Sequence, residues 1–154
     1  MKKYKKKNFD FYIYNYDKFI KSKLYLNIYS KIHKIFIINK INNYLLSKNI
    51  HKDLMKCIII FKNKKFIGFL YGITYKNKIR NNIRGISIYN YILNIRTQKD
   101  YLLILEKLYQ INGNGRIDIN VNSKDKLFQK TIKKLDLKKW DYVTKSNGNT
   151  WLFT

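Results

Sequence analysis

The chain has 154 residues, of which 45% are hydrophobic, and 33 Lys and Arg against 9 Asp and Glu give it a formal charge of +24. That length fits one domain and that apolar content supports a packed core, so wholesale disorder is excluded. No apolar run approaches the roughly 18–20 residues of a membrane span, no secretory leader is expected behind Met1–Lys7, and a lone Cys57 excludes a disulfide framework or a cysteine-rich zinc site.

In chain order, residues 1–8 read as a basic arm and 9–154 as a single α+β domain. Phe9 to Tyr16 alternates with period two, Phe9, Phe11 and Ile13 on one side, which predicts a strand. Asp17 stands at the start of a helix running to about Ser30, with Phe19, Ile20, Leu24 and Ile28 inward. Residues 35–47 read as a second helix, with a strand over Ile35–Ile38 as the alternative. Cys57–Phe61 and Phe66–Ile73, joined by the polar Lys62–Lys65, read as a β-hairpin whose glycines indicate a bulge or a close backbone approach.

Lys76–Arg84 is a polar, basic connection, and Ile86–Ile92 alternates as a third core strand. Residues 98–111 switch to helical period, with Tyr101, Leu102, Leu105, Leu108 and Tyr109 on one face and Asp100 in the first turn. Asn112–Gly115 stops that helix. Arg116–Asn122 alternates strictly, and Ser123 then caps a helix to about Leu137, with Leu127, Phe128, Ile132 and Leu135 inward. Trp140–Thr144 and Trp151–Phe153 are closing strands about a turn at Asn147–Gly148. The expected fold class is α+β, a mixed sheet flanked by amphipathic helices.

Side chains for acid–base, nucleophilic or metal chemistry are sparse. His33 and His51 stand at no ligand spacing, so no metal site is expected, and Cys57 opens an apolar strand as a small buried hydrophobe. Asp118 and Asn120 share the face opposite Ile117, Ile119 and Val121, which is expected to face solvent. Gly113–Gly115 follows a helix and precedes a strand, the reverse of a phosphate cradle. No catalytic residue is assigned.

Basic patches with aromatics between them carry the remaining signal. They are the arm Lys2, Lys3, Lys5, Lys6 and Lys7 with Tyr4; the stretch Lys76, Lys78, Arg80 and Arg84; and the helix face Lys130, Lys133 and Lys134 continuing into Lys138 and Lys139. Proline and alanine are absent while Lys, Ile, Asn, Tyr and Phe crowd every segment, so AT-rich codons explain part of the charge. The rest exceeds the net charge of about 2–8 that solubility needs. Three of the four arginines fall between residues 80 and 96, and arginine is costly under that bias. Each such cation near a phosphate releases a counterion, so these are candidate nucleic-acid contacts.

From residue 57 onward the order of elements resembles two families. Phe61–Phe69 is similar to the second and third strands of GNAT-type N-acetyltransferases, and Val121, Asp125, Phe128, Ile132 and Asp136–Leu137 fall where that family often has Val, Asn, Ala, Tyr and Gly-Phe. The resemblance implies acetyl-CoA as acyl donor, held near Arg96, Thr97, Gln98 and Lys99. The chain departs from the pattern in having no glycine over Arg96–Tyr101 and in placing Ile132 where the family's tyrosine acid stands. Thr131–Leu135, Tyr142–Thr144 and Asn147–Gly148 resemble the last helix, strand and tail of small-subunit ribosomal proteins of the eleven type, over about residues 57–148.

The first expectation is therefore a basic RNA-binding structural protein, a ribosomal component of an AT-rich organelle or reduced genome. Its partners would be ribosomal RNA and neighbouring ribosomal proteins, with no cofactor and no membrane, in an organelle matrix or the cytoplasm of a reduced-genome cell. The alternative is a GNAT-fold acetyl-CoA-dependent N-acetyltransferase, active or degenerate. The stretch 86–95 separates them: a regular strand parting from its neighbour favours the acyltransferase, a loop on a basic surface the RNA-bound protein.

Overall fold

A computed structural model describes residues 1–77, 83–112, 116–122, 124–134, 141–144 and 150–153. The chain is α+β, with a mixed sheet and amphipathic helices. It forms two compact units, Met1–Ile73 with Asn90–Leu93, and Thr74–Tyr89 with Asn94–Thr154. Among the described residues no helix is long and apolar enough to cross a membrane.

The first unit starts with β1 (Lys2–Lys6), β2 (Phe9–Asn15), α1 (Tyr16–Ile20), α2 (Lys23–Ile32) and α3 (Ile38–Ser47). β3 (Met55–Lys62) and β4 (Lys65–Asn77) follow. Neighbouring strands pair antiparallel, from Lys2↔Ile13 to Lys6↔Phe9, from Phe9↔Lys62 to Asn15↔Lys56, and from Met55↔Ile73 to Lys62↔Lys65. The basic arm is thus an edge strand. It shows no alternation of apolar residues because an edge strand is held by backbone bonds to β2 and buries little of its own.

Where one helix was expected over 17–30, two form. Ser22 Oγ accepts the Tyr25 N–H (3.1 Å) and donates to the Phe19 carbonyl (2.7 Å), which ends α1 and caps α2. Asp17 lies inside α1 rather than at its cap. Of the alternatives at 35–47 the helix is found, starting at Ile38. Phe36, just ahead of it, is the centre of an aromatic cluster, its ring 5.2–6.2 Å from those of Tyr16, Phe19, Tyr25, Phe69 and Tyr71. Tyr71 Oη donates to the Ile35 carbonyl at 2.9 Å.

The β3–β4 hairpin forms as expected, through a two-residue turn with Asn63 at φ 50° and Lys64 at φ 63°. The register shifts at Ile60/Phe61 on β3. A Cβ on Gly68 would lie 2.7 Å from Leu93 Cδ2 and 3.3 Å from the Ile92 carbonyl oxygen, so this glycine serves a close approach.

The second unit contains the end of β4, most of β5 (Ile83–Leu93), α4 (Gln98–Ile111), β6 (Arg116–Val121), α5 (Lys126–Ile132), β7 (Asp141–Thr144) and β8 (Thr150–Phe153). β5 and β6 are parallel; β6–β8 and β8–β7 are antiparallel, so β8 lies between β6 and β7. α4 matches the expected 98–111 helix, and Thr97 Oγ1 caps it by accepting the Asp100 N–H at 3.2 Å. Its buried residues are Tyr101, Leu103, Ile104, Leu105 and Leu108, while the expected Leu102 and Tyr109 are only half-buried, because the helix packs on both β6 and α5.

The cap of α5 is Asp125, not Ser123. Asp125 Oδ1 accepts the Phe128 N–H at 3.0 Å, and ahead of it Asn122 Oδ1 accepts the Lys124 N–H at 2.9 Å. α5 ends at Ile132, short of the expected Leu137. The expected helix stop at Gly113–Gly115, Ser123 itself, Leu135, Trp140 and the turn at Asn147–Gly148 lie outside the described residues.

Candidate functional site

In sheets with parallel strands, ligands are held outside the carboxyl ends of the strands, where neighbours part. The β5–β6 ladder runs from Gly85↔Arg116 to Ile88↔Ile119 and ends there, although β5 continues to Leu93. Residues 86–92 are thus a regular strand, as expected. Past Ile119, among the described residues, Asn120 and Val121 pair with β8 on the other edge.

Three features of the second unit lie on β6 or on the segment that follows β5. First, Asn94–Thr97 lead into α4, whose first amides, those of Gln98 and Lys99, have no acceptor within the helix. The helix dipole adds a partial positive charge, and Arg96 and Lys99 are exposed beside it, whereas Asp100 in the first turn opposes an anion. Second, Asp118 Oδ2 accepts a 2.5 Å hydrogen bond from Tyr75 Oη. Third, the side-chain oxygen of Asn120 is buried and has no hydrogen-bond partner among the described residues. An amide oxygen left so costs about 1–3 kcal/mol.

The face of Asp118 and Asn120 therefore does not simply meet solvent. Alternation in β6 put both residues on one face. Tyr75 was missed because nothing in the sequence tells which side chain of β4 reaches Asp118. The ring of Tyr75 lies where a Cβ on Gly85 would stand, so that glycine makes room for it.

The expected basic residues divide between the units. Lys2, Lys3, Lys5 and Lys7 are exposed and Lys6 half-buried on or beside β1; Lys3 Nζ stands 3.5 Å from Asp10 Oδ1 and 5.0 Å from the centre of the Tyr12 ring. Lys76, Lys130, Lys133 and Lys134 are exposed in the second unit, where Arg84 lies on β5. Lys78, Arg80, Lys138 and Lys139 lie outside the described residues. Lys56 is spent inside the protein: it donates to Asn15 Oδ1 and to the Asp53 carbonyl, both at 2.7 Å, and burial pushes its ammonium below the usual range.

Both histidines are exposed and make local contacts, His33 Nδ1 with the Ser30 carbonyl at 3.0 Å and His51 Nδ1 with the Asp53 N–H at 3.3 Å. Among the described residues no three His, Cys, Asp or Glu gather as metal ligands. No protein-family model matches the chain, and no curated protein matches it.

Proposed function

We propose that the chain is an acyl-CoA-dependent N-acyltransferase of the GNAT type. The observation that carries this reading is the parallel β5–β6 pair, connected through α4, whose ladder stops at Ile88↔Ile119 while β5 continues to Leu93. The order of elements supports it as well: antiparallel β1 to β4, a parallel crossover through α4, and β8 set between β6 and β7. An extended thioester would lie along β5 beyond the end of its ladder with β6.

The Gln98 and Lys99 amides with the Arg96 and Lys99 side chains suit the donor's pyrophosphate, with Asp100 reducing the attraction. The incoming amine attacks the thioester carbon with its nitrogen lone pair. The C–N bond forms, the C–S bond breaks, and the proton the nitrogen sheds returns to sulfur. Amine and thioester thus become amide and thiol. Ile132, only 1% exposed, has no proton to give, so the chain relies on positioning more than on acid catalysis.

The second reading, an RNA-bound ribosomal component of an organelle matrix or of a reduced-genome cytoplasm, is favoured by the charge of +24. One experiment separates the two: a thermal shift with acetyl-CoA beside a titration with structured RNA at two salt concentrations. The acyltransferase reading expects acetyl-CoA to raise Tm, and Arg96→Ala/Lys99→Ala to remove most of that rise. RNA binding with no response to acetyl-CoA leaves the ribosomal reading.

A further inference from the structure

One end of the first unit's sheet gathers lysines from two hairpins. β2 runs away from the β1–β2 turn and β3 runs back toward it, so Lys6↔Phe9 and Phe9↔Lys62 lie at the turn end and Asn15↔Lys56 at the other. The two turns at that end, distant in sequence, are joined, the Asn63 N–H donating to the Asn8 carbonyl at 2.9 Å. Lys5, Lys6 and Lys7 from one hairpin therefore stand with Lys62, Lys64 and Lys65 from the other. Lys62 is steadied over the Phe9 ring, 5.3 Å from its centre.

Of the first unit's three acids only Asp10, opposite Lys5 on β2, stands at this end. Asp17 follows β2 and Asp53 precedes β3, both at the opposite end, and Asp10 is engaged by Lys3 at 3.5 Å. Codon bias does not explain the arrangement. Lys7 (φ 54°) and Lys64 (φ 63°) hold left-handed turn positions, which asparagine fills more cheaply and which AT-rich codons supply as readily. A cation stands at each in spite of the backbone preference. Nor is this end built to enter lipid, since the large apolar side chains that are exposed in the first unit (Met1, Leu26, Tyr29, Ile37, Tyr44, Leu46 and Leu54) lie on other segments.

We propose that this six-lysine end of the first unit is a docking surface for the phosphate backbone of RNA. It makes backbone contacts that position the protein without reading bases. The inference does not rest on the acyltransferase reading, because the groups at the β5–β6 ladder belong to the other unit.

The test uses the full chain and a structured RNA hairpin, with affinity measured across a salt series. Lys5→Gln, Lys7→Asn, Lys64→Asn and Lys65→Gln are combined in one variant, the asparagines chosen because they suit left-handed turns and so preserve folding. The control variant makes the same charge change in the second unit, with Lys76, Lys130, Lys133 and Lys134 replaced by Gln. The expected result is that the turn variant lowers the log–log salt slope by about 3, from about 0.7–0.9 per phosphate contact, and weakens binding at least tenfold while the control loses much less. Equal losses from both variants, or no RNA binding by the parent, overturn the proposal. So does binding to vesicles rich in phosphatidylserine that matches RNA binding in strength and in its loss with the turn variant.

Discussion

Tyr101 on α4 and Asp125 at the head of α5 are joined by a hydrogen bond, Tyr101 Oη donating to Asp125 Oδ2 at 2.8 Å. The other carboxylate oxygen of Asp125 caps α5 at the Phe128 N–H, and the Tyr101 ring stacks on Phe128 with centroids 4.6 Å apart. One carboxylate therefore starts a helix and fixes the helix beside it.

Asp125→Ala removes both the cap and the acceptor of a buried hydroxyl. Lost caps cost about 0.5–2 kcal/mol and lost acceptors about 1–3 kcal/mol, so about 2–3 kcal/mol of unfolding free energy should go. Asp125→Asn keeps an oxygen for the cap and should lose less than half as much. Urea unfolding of the two variants beside the parent checks this, and equal losses would show that the carboxylate does not act in both bonds.

Stability should fall at alkaline pH through Tyr16. Burial above all pushes its phenol up to about 12, from an ordinary value of 10.0, and its hydroxyl donates to Asn42 Oδ1 at 2.9 Å. The unfolded chain loses this proton first, so the contribution is whole below pH 10 and disappears as pH rises through about 12. Burial raises Tyr14, Tyr25 and Tyr71 in the same direction. Tyr16→Phe should be less stable than the parent at pH 8 and close part of that gap by pH 11.5, read from urea midpoints.

Cys57 is fully buried in β3, and burial pushes its thiol well above the ordinary range. Thiolate is the reactive form, so a thiol reagent at pH 8 should leave the native protein unmodified and label it promptly in denaturant. Labelling of the native protein at the rate of free cysteine would contradict that burial.

Gly85→Ala should displace the Tyr75 ring, which lies where the new methyl would stand, and break the hydrogen bond to Asp118. Overpacking of this kind costs about 1–3 kcal/mol. Tyr75→Phe loses only the hydroxyl, so Gly85→Ala should lower Tm further than Tyr75→Phe does.

The sequence by itself determined the elements whose signals are local. Alternation marked β2, β5 and β6; the polar Lys62–Lys65 marked the β3–β4 turn; and apolar spacing marked α4. Each follows from a periodicity that one segment needs in order to turn one face inward. The fold class followed from their order. Of the candidate site, the segment Arg96–Lys99 and the shared face of Asp118 and Asn120 were legible, but not what meets them.

Tertiary structure decided whatever depends on a second segment. β1 is a strand because β2 offers it an edge, although its own lysines show no apolar period. Phe36 organises the aromatic cluster because helices and strands converge on it, and Tyr75 finds Asp118 across strands that no sequence spacing relates. Lys7 and Lys64 become neighbours in one basic end only when Asn63 bonds to Asn8. Sequence periodicity reports which face a segment buries. Which partner that face meets is set by packing and hydrogen bonding between residues far apart in the chain, and these exist only once the chain has folded.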